Sequence, residues 1–204
     1  RTCIEWRYLN LDLGMEQQRW RLAPLRAAEV AEVEDEDFDL SAELLEQLRR
    51  IHDCLLPVRV PQGEKTAEIA YLIGAEMGLA QECVRRLGMA ARIFDFGMLA
   101  VPEAIRNCTR SLTPEELKIM RRHTEAVEEM FGASRIPGVL LLQQIAAAHH
   151  EQPDGLGYPN GLAEPDIPLG ALICRVADVL DSLTTDQTYR PAVSVEEALA
   201  ELRD

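Results

Sequence analysis

The sequence predicts an all-α fold, a helical bundle preceded by a short N-terminal appendage of mixed α/β character. After residue 61, segments with an apolar face at helical spacing follow one another, and strand-like alternation is absent. Aromatic residues make up 5% of the 204 residues, which is typical of aliphatic helix packing rather than of a β-sandwich. A chain of this length with 47% hydrophobic residues can bury a sizeable core.

The appendage is predicted from three patterns before residue 40. Residues 1–13 alternate loosely between apolar and polar side chains, as a half-buried strand does. Residues 16–31 favour a helix, but Pro24 is expected to kink or divide it. The acidic run at 32–39 predicts a solvated linker.

A connecting helix is predicted over 44–55, where apolar residues recur at helical spacing until Pro57 ends the pattern. We therefore expect residues 1–57 to be the end of an upstream domain plus this helix, and residues 58–204 to form the helical domain. The helix fits a dimer interface or signal transfer, and it fits a plain packing helix equally well. Because the first residue is Arg1 rather than Met, the sequence is expected to belong to a longer chain.

Within the second part, local signals mark the helices. Thr113 is a good helix cap, Pro114 suits the first turn, and Glu116 stands three residues after the cap, which together predict a capping box. Ser194 opens a second capped helix in the same way. The expected helices cover Glu64–Gly78, Gln81–Ile93, Thr113 to about Gly132, Val139–His150, Leu169–Thr184 and a last helix from Ser194.

Charge and cysteine usage exclude several classes of function. With 21 Lys and Arg against 35 Asp and Glu, the formal net charge of −14 argues against a surface for duplex DNA or anionic membranes. No run of about 18 apolar residues is present, so no membrane insertion is expected. Five widely spaced cysteines without a CxxC pair predict reduced thiols in a cytoplasmic protein.

Histidines and carboxylates inside the predicted helices form a candidate metal site. A carboxylate within an apolar helix is costly unless it is paired or bound to metal, and imidazole with carboxylate suits Fe, Mn or Zn more than Ca or Mg. The alternative remains open that each histidine is a satisfied core residue and each aspartate a cap or ion-pair partner. The candidate ligands are Asp95, His123, His149, His150 and Asp178.

The segment from His149 to Pro159 reads HHExxDGxGYP and resembles the HD-GYP family of metal-dependent cyclic-di-GMP phosphodiesterases. The resemblance extends over about residues 61–204. It implies a helical bundle with a di- or trinuclear metal centre, usually of iron or manganese, that hydrolyses cyclic-di-GMP to pGpG or GMP. It assigns all five candidate ligands to the metal.

The resemblance also implies contacts outside the metal centre. Arg190 matches a basic position near the substrate phosphates, and Asp154 is assigned to substrate binding with it. In the resembled family the Gly157-Tyr158-Pro159 loop is linked to contacts with diguanylate-cyclase (GGDEF) domains. A GGDEF-domain protein and cyclic-di-GMP are therefore the expected partners, and a homodimer is a further candidate.

Four positions depart from the family pattern. Phe94 stands where the defining histidine is expected, and Met98 stands at the catalytic-type lysine. Gln62 replaces a ligand histidine, and Val58 replaces a glutamate that some members use. Because two-metal phosphodiester hydrolysis needs both ions, these losses predict a centre with one residual Fe, Mn or other divalent metal, or none.

Three functional hypotheses follow. The first is a degenerate HD-GYP module, inactive or strongly impaired, that acts as a ligand receptor or a protein-interaction scaffold. The second is an active phosphodiesterase with an altered metal centre. The third is a structural domain whose polar residues are core hydrogen-bonders.

Overall fold

The computed structural model describes residues 35–57, 60–132, 134, 136–186 and 191–202. Over these residues the chain forms helices and no strand, so the all-α prediction is confirmed. A 3-10 helix, Phe96–Ala100, lies between the third and fourth helices. The helices are α1 (Asp35–Leu55), α2 (Val60–Glu76), α3 (Gln81–Arg92), α4 (Glu103–Arg106), α5 (Pro114–Arg121), α6 (His123–Phe131), α7 (Pro137–Ala148), α8 (Leu169–Thr184) and α9 (Val195–Glu201).

The first helix is longer than the sequence predicts. The strand expected over 1–13 and the helix expected over 16–31 lie outside the described residues. Helix α1 begins at Asp35, inside the acidic run, so the linker interpretation is wrong for residues 35–39.

Helix α1 packs on the same core as the rest of the bundle. Leu45 and Leu48 are buried in the main apolar cluster, while Ile51 and Leu55 are exposed. The division at residue 57 and the homodimer both stay predictions.

The core sits between α2, α3, α7 and α8. Small residues on facing helices allow the backbones to approach closely, and larger aliphatic side chains fill the remaining space. The buried members of this main cluster on these four helices are Ala70, Leu87, Ala90, Ala91, Leu142, Ile145, Ala146, Ile173, Cys174 and Ala177. A smaller cluster joins Leu56, Met98, Val101 and Met120.

The helix predicted from Thr113 to Gly132 is two helices. Both hydrogen bonds of the predicted capping box are present between Thr113 and Glu116, and a second box joins Ser194 to Glu197. However, α5 ends at Arg121 and α6 begins at His123. The last turn of α5 tightens, because the Arg122 N–H donates to the Ile119 carbonyl at 3.2 Å. The break places His123 at the start of a new helix.

Across the part of the chain described by the structure, no helix is both long enough and apolar enough to span a bilayer.

Candidate metal centre

Three buried histidines converge at one point of the bundle. His123 is the first residue of α6, and His149 and His150 directly follow the end of α7. One ring nitrogen of each lies within 4.8 Å of the others. We call these three residues the histidine cluster. Side chains of consecutive residues inside a helix point in different directions. The helix ends at Ala148, which allows the side chains of His149 and His150 to face one centre.

Asp95 completes the group. Its Oδ1 lies 3.7 Å from Nε2 of His123 and 3.7 Å from Nε2 of His149, and its side chain is buried. A Cβ atom at Gly97 would overlap the carbonyl of His123, so only glycine lets the 3-10 helix lie directly on that backbone. This close approach brings Asp95 beside the two imidazoles.

Backbone carbonyls fix the tautomers of two of these histidines. Nδ1 of His123 lies 2.7 Å from the Met120 carbonyl, and Nδ1 of His149 lies 2.9 Å from the Ala146 carbonyl. Because a carbonyl only accepts, both Nδ1 atoms carry a proton, and in the neutral rings Nε2 presents its lone pair.

The two Nε2 atoms lie 3.4 Å apart. Two lone pairs at that distance repel each other unless a proton or a cation lies between them, and the Asp95 carboxylate adds negative charge to the same point. This donor set fits a divalent transition metal, whose histidine ligands commonly donate the other ring N–H to a carbonyl.

Asp178 has a different partner. It is buried on α8, and its Oδ1 accepts a hydrogen bond from Nε2 of Gln62 on α2 at 2.7 Å. The structure thus brings Asp95 to the histidine cluster and engages Asp178 with an amide. The assignment of Asp178 to the metal stays a prediction.

Phe94 and Met98, which stand where the family pattern has a histidine and a lysine, are both packed as apolar side chains. Phe94 is buried and meets the His149 ring edge-on, with centroids 5.1 Å apart and planes at 81°. Met98 is buried in the smaller apolar cluster against Leu56 and Met120. Phe94 offers no metal ligand at its position, and Met98 offers no positive charge.

The loop after the cluster, residues 151–162, is held by a buried carboxylate, and we call it the GYP loop. Oε1 of Glu151 accepts from the Asn160 N–H at 2.7 Å, and Oε2 accepts from the Leu162 N–H at 2.9 Å. A Cβ at Gly157 would overlap the backbone of Glu151 and Gln152, so the loop folds directly back on its own start. Sequence reasoning missed this role of Glu151, although turn-forming residues after an acidic residue were visible.

Tyr158 of the GYP loop faces the histidine cluster. It is buried, and its ring stacks on His150 with centroids 4.6 Å apart and planes at 20°. The guanidinium carbon of Arg121 lies 4.6 Å from the centroid of the same ring, a contact that the sequence did not indicate. The exposed apolar residue of the loop is Leu156, at 68% relative exposure. The role of Gly157, Tyr158 and Pro159 in protein contacts stays a prediction.

Of the two residues assigned to substrate, the structure describes Asp154. Asp154 is exposed, and its Oδ1 accepts from the Leu156 N–H at 2.9 Å in a local turn. Arg190 lies outside the described residues. Both assignments stay predictions.

Burial and charge shift two neighbouring groups on α8. Burial raises the pKa of the Cys174 thiol well above its ordinary value, and the charges of Asp178 and Asp95 raise it further. Cys174 is therefore a protonated core thiol. Burial lowers the pKa of Arg175, against the opposing influence of Asp178, Tyr158, Asp154 and Glu151. Arg175 nevertheless stays charged at neutral pH, because a guanidinium does not deprotonate in this range.

Comparison with known proteins identifies the family. The family model described as HD domain matches residues 44–204 of this chain. The chain belongs to the HD domain family. Its HHExxDGxGYP segment agrees with the HD-GYP type. The family is metal-dependent, and this HD domain carries the buried histidine cluster expected of it.

Curated relatives of this HD domain are phosphodiesterases. A cyclic di-GMP phosphodiesterase response regulator of Xanthomonas campestris is 37% identical over 139 residues, which cover 68% of this chain and 37% of the relative. A cyclic di-GMP phosphodiesterase of Thermotoga maritima is 36% identical over 139 residues, covering 68% and 38%. A 3'3'-cGAMP-specific phosphodiesterase of Vibrio cholerae is 34% identical over 125 residues, covering 61% and 24%. The matched region spans less than two fifths of each relative.

A solved structure has the same fold. A HDG"Y"P protein from Bdellovibrio bacteriovorus matches with a TM-score of 0.56 and 18% sequence identity. The match covers 86% of this chain and 61% of that one. At this identity the likeness establishes the helical architecture of the HD domain.

Proposed function

We propose that this HD domain binds a 3',3'-cyclic dinucleotide, cyclic di-GMP in the first instance, at a single metal ion and hydrolyses it weakly or not at all. The relatives named above act on cyclic di-GMP or on 3'3'-cGAMP, which supports this class of ligand. The observation that carries the proposal is the convergence of Asp95, His123 and His149 on one point, while Asp178 is engaged by Gln62.

The metal would be held by Asp95 and the histidine cluster. Such an ion supplies positive charge to a phosphodiester oxygen and acidity to a bound water. The protein's own contribution is orientation: the carbonyls of Met120 and Ala146 hold two rings with Nε2 facing the centre. Tyr158 covers one face of the third ring, that of His150.

Weak turnover follows from the side chains of Gln62, Phe94 and Met98. A second ion would need ligands where the domain has the amide of Gln62 and the ring of Phe94. Met98 supplies no cation to stabilise negative charge that develops in the transition state. The loss of one such electrostatic contribution typically costs about 3 kcal/mol, or roughly a hundredfold in rate.

A second candidate function is full phosphodiesterase activity with an altered metal centre. The activities named for the relatives favour it, since each of them is a phosphodiesterase. The first hypothesis also includes a scaffold for GGDEF-domain proteins, and the exposed Leu156 of the GYP loop is a side chain that would meet such a partner.

Binding and turnover should be measured on the same anaerobic preparation, loaded with iron or manganese. We expect cyclic di-GMP to bind by calorimetry and to remain largely intact by chromatography, and we expect His149→Ala to abolish binding. His52→Ala is the matched control, because His52 is a buried histidine of α1 that does not belong to the histidine cluster. Rapid conversion of cyclic di-GMP to pGpG or GMP would favour the second candidate. If the protein binds neither cyclic di-GMP nor 3'3'-cGAMP, the proposal is overturned.

A further inference from the structure

The smaller apolar cluster is joined to two candidate metal ligands by hydrogen bonds of its main chain. The Met98 N–H donates to the Asp95 carbonyl at 2.8 Å. Nδ1 of His123 donates to the Met120 carbonyl at 2.7 Å. Met98 and Met120 therefore hold the main chain of one ligand and the imidazole ring of another, and both methionines are buried in the same cluster.

The segments that carry these two ligands also touch directly. A Cβ atom at Gly97 would overlap the His123 carbonyl, so the turn that bears Asp95 rests on the backbone that bears His123. Oδ1 of Asp95 lies 3.7 Å from Nε2 of His123. A shift of either segment would change this distance, and with it the place that the two ligands offer to an ion.

Leu56 is the member of the smaller apolar cluster that belongs to neither segment. It directly follows α1, and its N–H donates to the His52 carbonyl at 2.7 Å, which continues the helical pattern of hydrogen bonds. Leu56 is 3% exposed, whereas the preceding Leu55 is 55% exposed. The end of α1 thus buries one of two adjacent leucines among the methionines that hold the ligands.

The methionines make the positions of the ligands sensitive to Leu56. Truncation of a buried leucine leaves a cavity into which the surrounding side chains relax in part. Methionine is unbranched and adapts to the space around it, so Met98 and Met120 are the neighbours best able to move. Loss of a group that orients metal ligands typically weakens metal binding by about 10–100-fold.

A polar contact joins α1 to the same region but is weaker. Arg92, three residues before Asp95, lies 3.7 Å from Asp53 of α1, and both side chains are partly exposed. Partly exposed ion pairs of this length contribute little, because water screens both charges. The apolar contact of Leu56 therefore carries the connection between α1 and the metal centre.

We propose that Leu56 is a positioning residue for the metal centre. Through Met98 it sets the place of Asp95, and through Met120 it sets the orientation of the His123 ring. The presence of the ion rests on the proposed function, whereas the positioning of the two ligands rests on the contacts described above. The packing of α1 and the affinity for metal are then coupled, and such coupling is reciprocal: metal binding stabilises the end of α1 by the same free energy.

The test compares Leu56→Ala with two other leucine truncations. Leu55→Ala changes the adjacent exposed position, and Leu183→Ala truncates a leucine of α8 that is 2% exposed and lies outside the smaller apolar cluster. Both Leu56→Ala and Leu183→Ala should lower the midpoint of denaturant unfolding. While the folded state predominates, that loss alone does not change the metal affinity of the folded protein.

Competition with a chelator should give about tenfold weaker manganese binding in Leu56→Ala and wild-type affinity in the two controls. Leu56→Met keeps the side-chain volume and should restore the affinity. If Leu56→Ala does not fold, Leu56→Val removes fewer atoms and makes the same comparison. By hydrogen exchange, manganese should slow exchange over residues 49–56 of the wild type and leave α9 unchanged.

Equal manganese affinity in the wild type and Leu56→Ala would overturn the proposal, and so would an equal loss in Leu183→Ala. Exchange over residues 49–56 that manganese leaves unchanged would overturn the coupling to α1. None of these measurements involves a nucleotide. If the protein binds manganese but no cyclic dinucleotide, the proposed function fails and the Leu56 comparison still decides the positioning role.

If the wild type binds no metal, the imidazole signals of the metal-free protein decide instead. In ¹⁵N-histidine-labelled protein, Leu56→Ala should shift the Nδ1–H signal of His123. It should shift the signal of His149 less, because the Ala146 carbonyl that accepts from His149 belongs to α7. Equal shifts of the two signals, or no shift of either, would overturn the proposal.

Discussion

The side-chain amide of Gln62 donates a hydrogen bond to the carboxylate of Asp178, with 2.7 Å between Nε2 and Oδ1. This bond joins α2 to α8. An amide N–H satisfies a buried carboxylate oxygen without a cation, whereas an imidazole nitrogen at the same position could share a metal with it. In the proposed account, residue 62 therefore decides whether Asp178 is available to a second ion.

Restoring the missing groups should add a metal ion. The triple variant Gln62→His, Phe94→His and Met98→Lys is expected to bind one more equivalent of iron or manganese than the wild type, and to hydrolyse cyclic di-GMP at least a hundredfold faster. Elemental analysis and product chromatography measure the two effects.

Since Phe94 and Met98 are buried, the triple variant needs a folding control. The single variant Gln62→His leaves both apolar positions intact and should by itself loosen the hold on Asp178. A folded triple variant with the wild-type metal content would refute the explanation given for the lost second site.

Gly97 should be irreplaceable by alanine. A Cβ there would overlap the His123 carbonyl, so Gly97→Ala is expected to lower the free energy of unfolding by about 2 kcal/mol or more and to weaken metal binding by moving Asp95. Denaturant unfolding with and without metal measures both.

Gly88→Ala is the matched control for Gly97→Ala. A Cβ at Gly88 on α3 would make only ordinary contacts, the nearest at 3.7 Å to the Ala67 carbonyl and Tyr71. Alanine should therefore be neutral or stabilising there, by up to about 1 kcal/mol. Equal destabilisation by the two substitutions would show that the tight contact at Gly97 does not matter.

Glu151→Gln should loosen the GYP loop. The carboxylate accepts two backbone N–H groups, and an amide side chain offers only one oxygen and turns a donor toward the other N–H. We expect a loss of about 1–3 kcal/mol in the free energy of unfolding, with faster proteolytic cleavage within residues 152–162. Glu164→Gln, at an exposed position of the following turn, should leave both measurements unchanged.

Acid should remove the stabilising contribution of Glu116 at the start of α5 as the pH falls from about 4.5 toward 2. The hydrogen bond from Arg110 lowers the pKa of Glu116 from 4.5 to about 2, with a further contribution from the Thr113 backbone. Because the folded-state pKa lies below the unfolded one, its contribution is fully present above about pH 4.5 and is lost as the pH falls toward 2. A Glu116→Gln variant should differ from wild type in stability at pH 6 and converge with it near pH 2. A Glu116 carboxyl that titrates near 4.5 by NMR would contradict this.

Local sequence signals anticipated the features that depend on neighbouring residues. The capping boxes at Thr113 and Ser194 follow from three or four consecutive side chains, and both are present. The placement of His149 and His150 at a helix end also follows from local reasoning, because adjacent ligands need that position to share a centre.

Features that depend on tertiary contacts were not predictable. The break at Arg122 also escaped prediction, because the pattern of apolar residues runs through it without interruption. The tight packing of Gly97 on His123, the pairing of Gln62 with Asp178 and the position of Arg121 over Tyr158 each join residues distant in sequence. No local pattern encodes such pairs.

The metal content per chain tests the central claim most directly. Elemental analysis of anaerobically purified protein, reloaded with iron or manganese, should give about one equivalent in the wild type and about none in His149→Ala. His52→Ala should retain the wild-type value. Two or more equivalents in the wild type would contradict the single-metal account, and none after reloading would remove the metal from the account altogether.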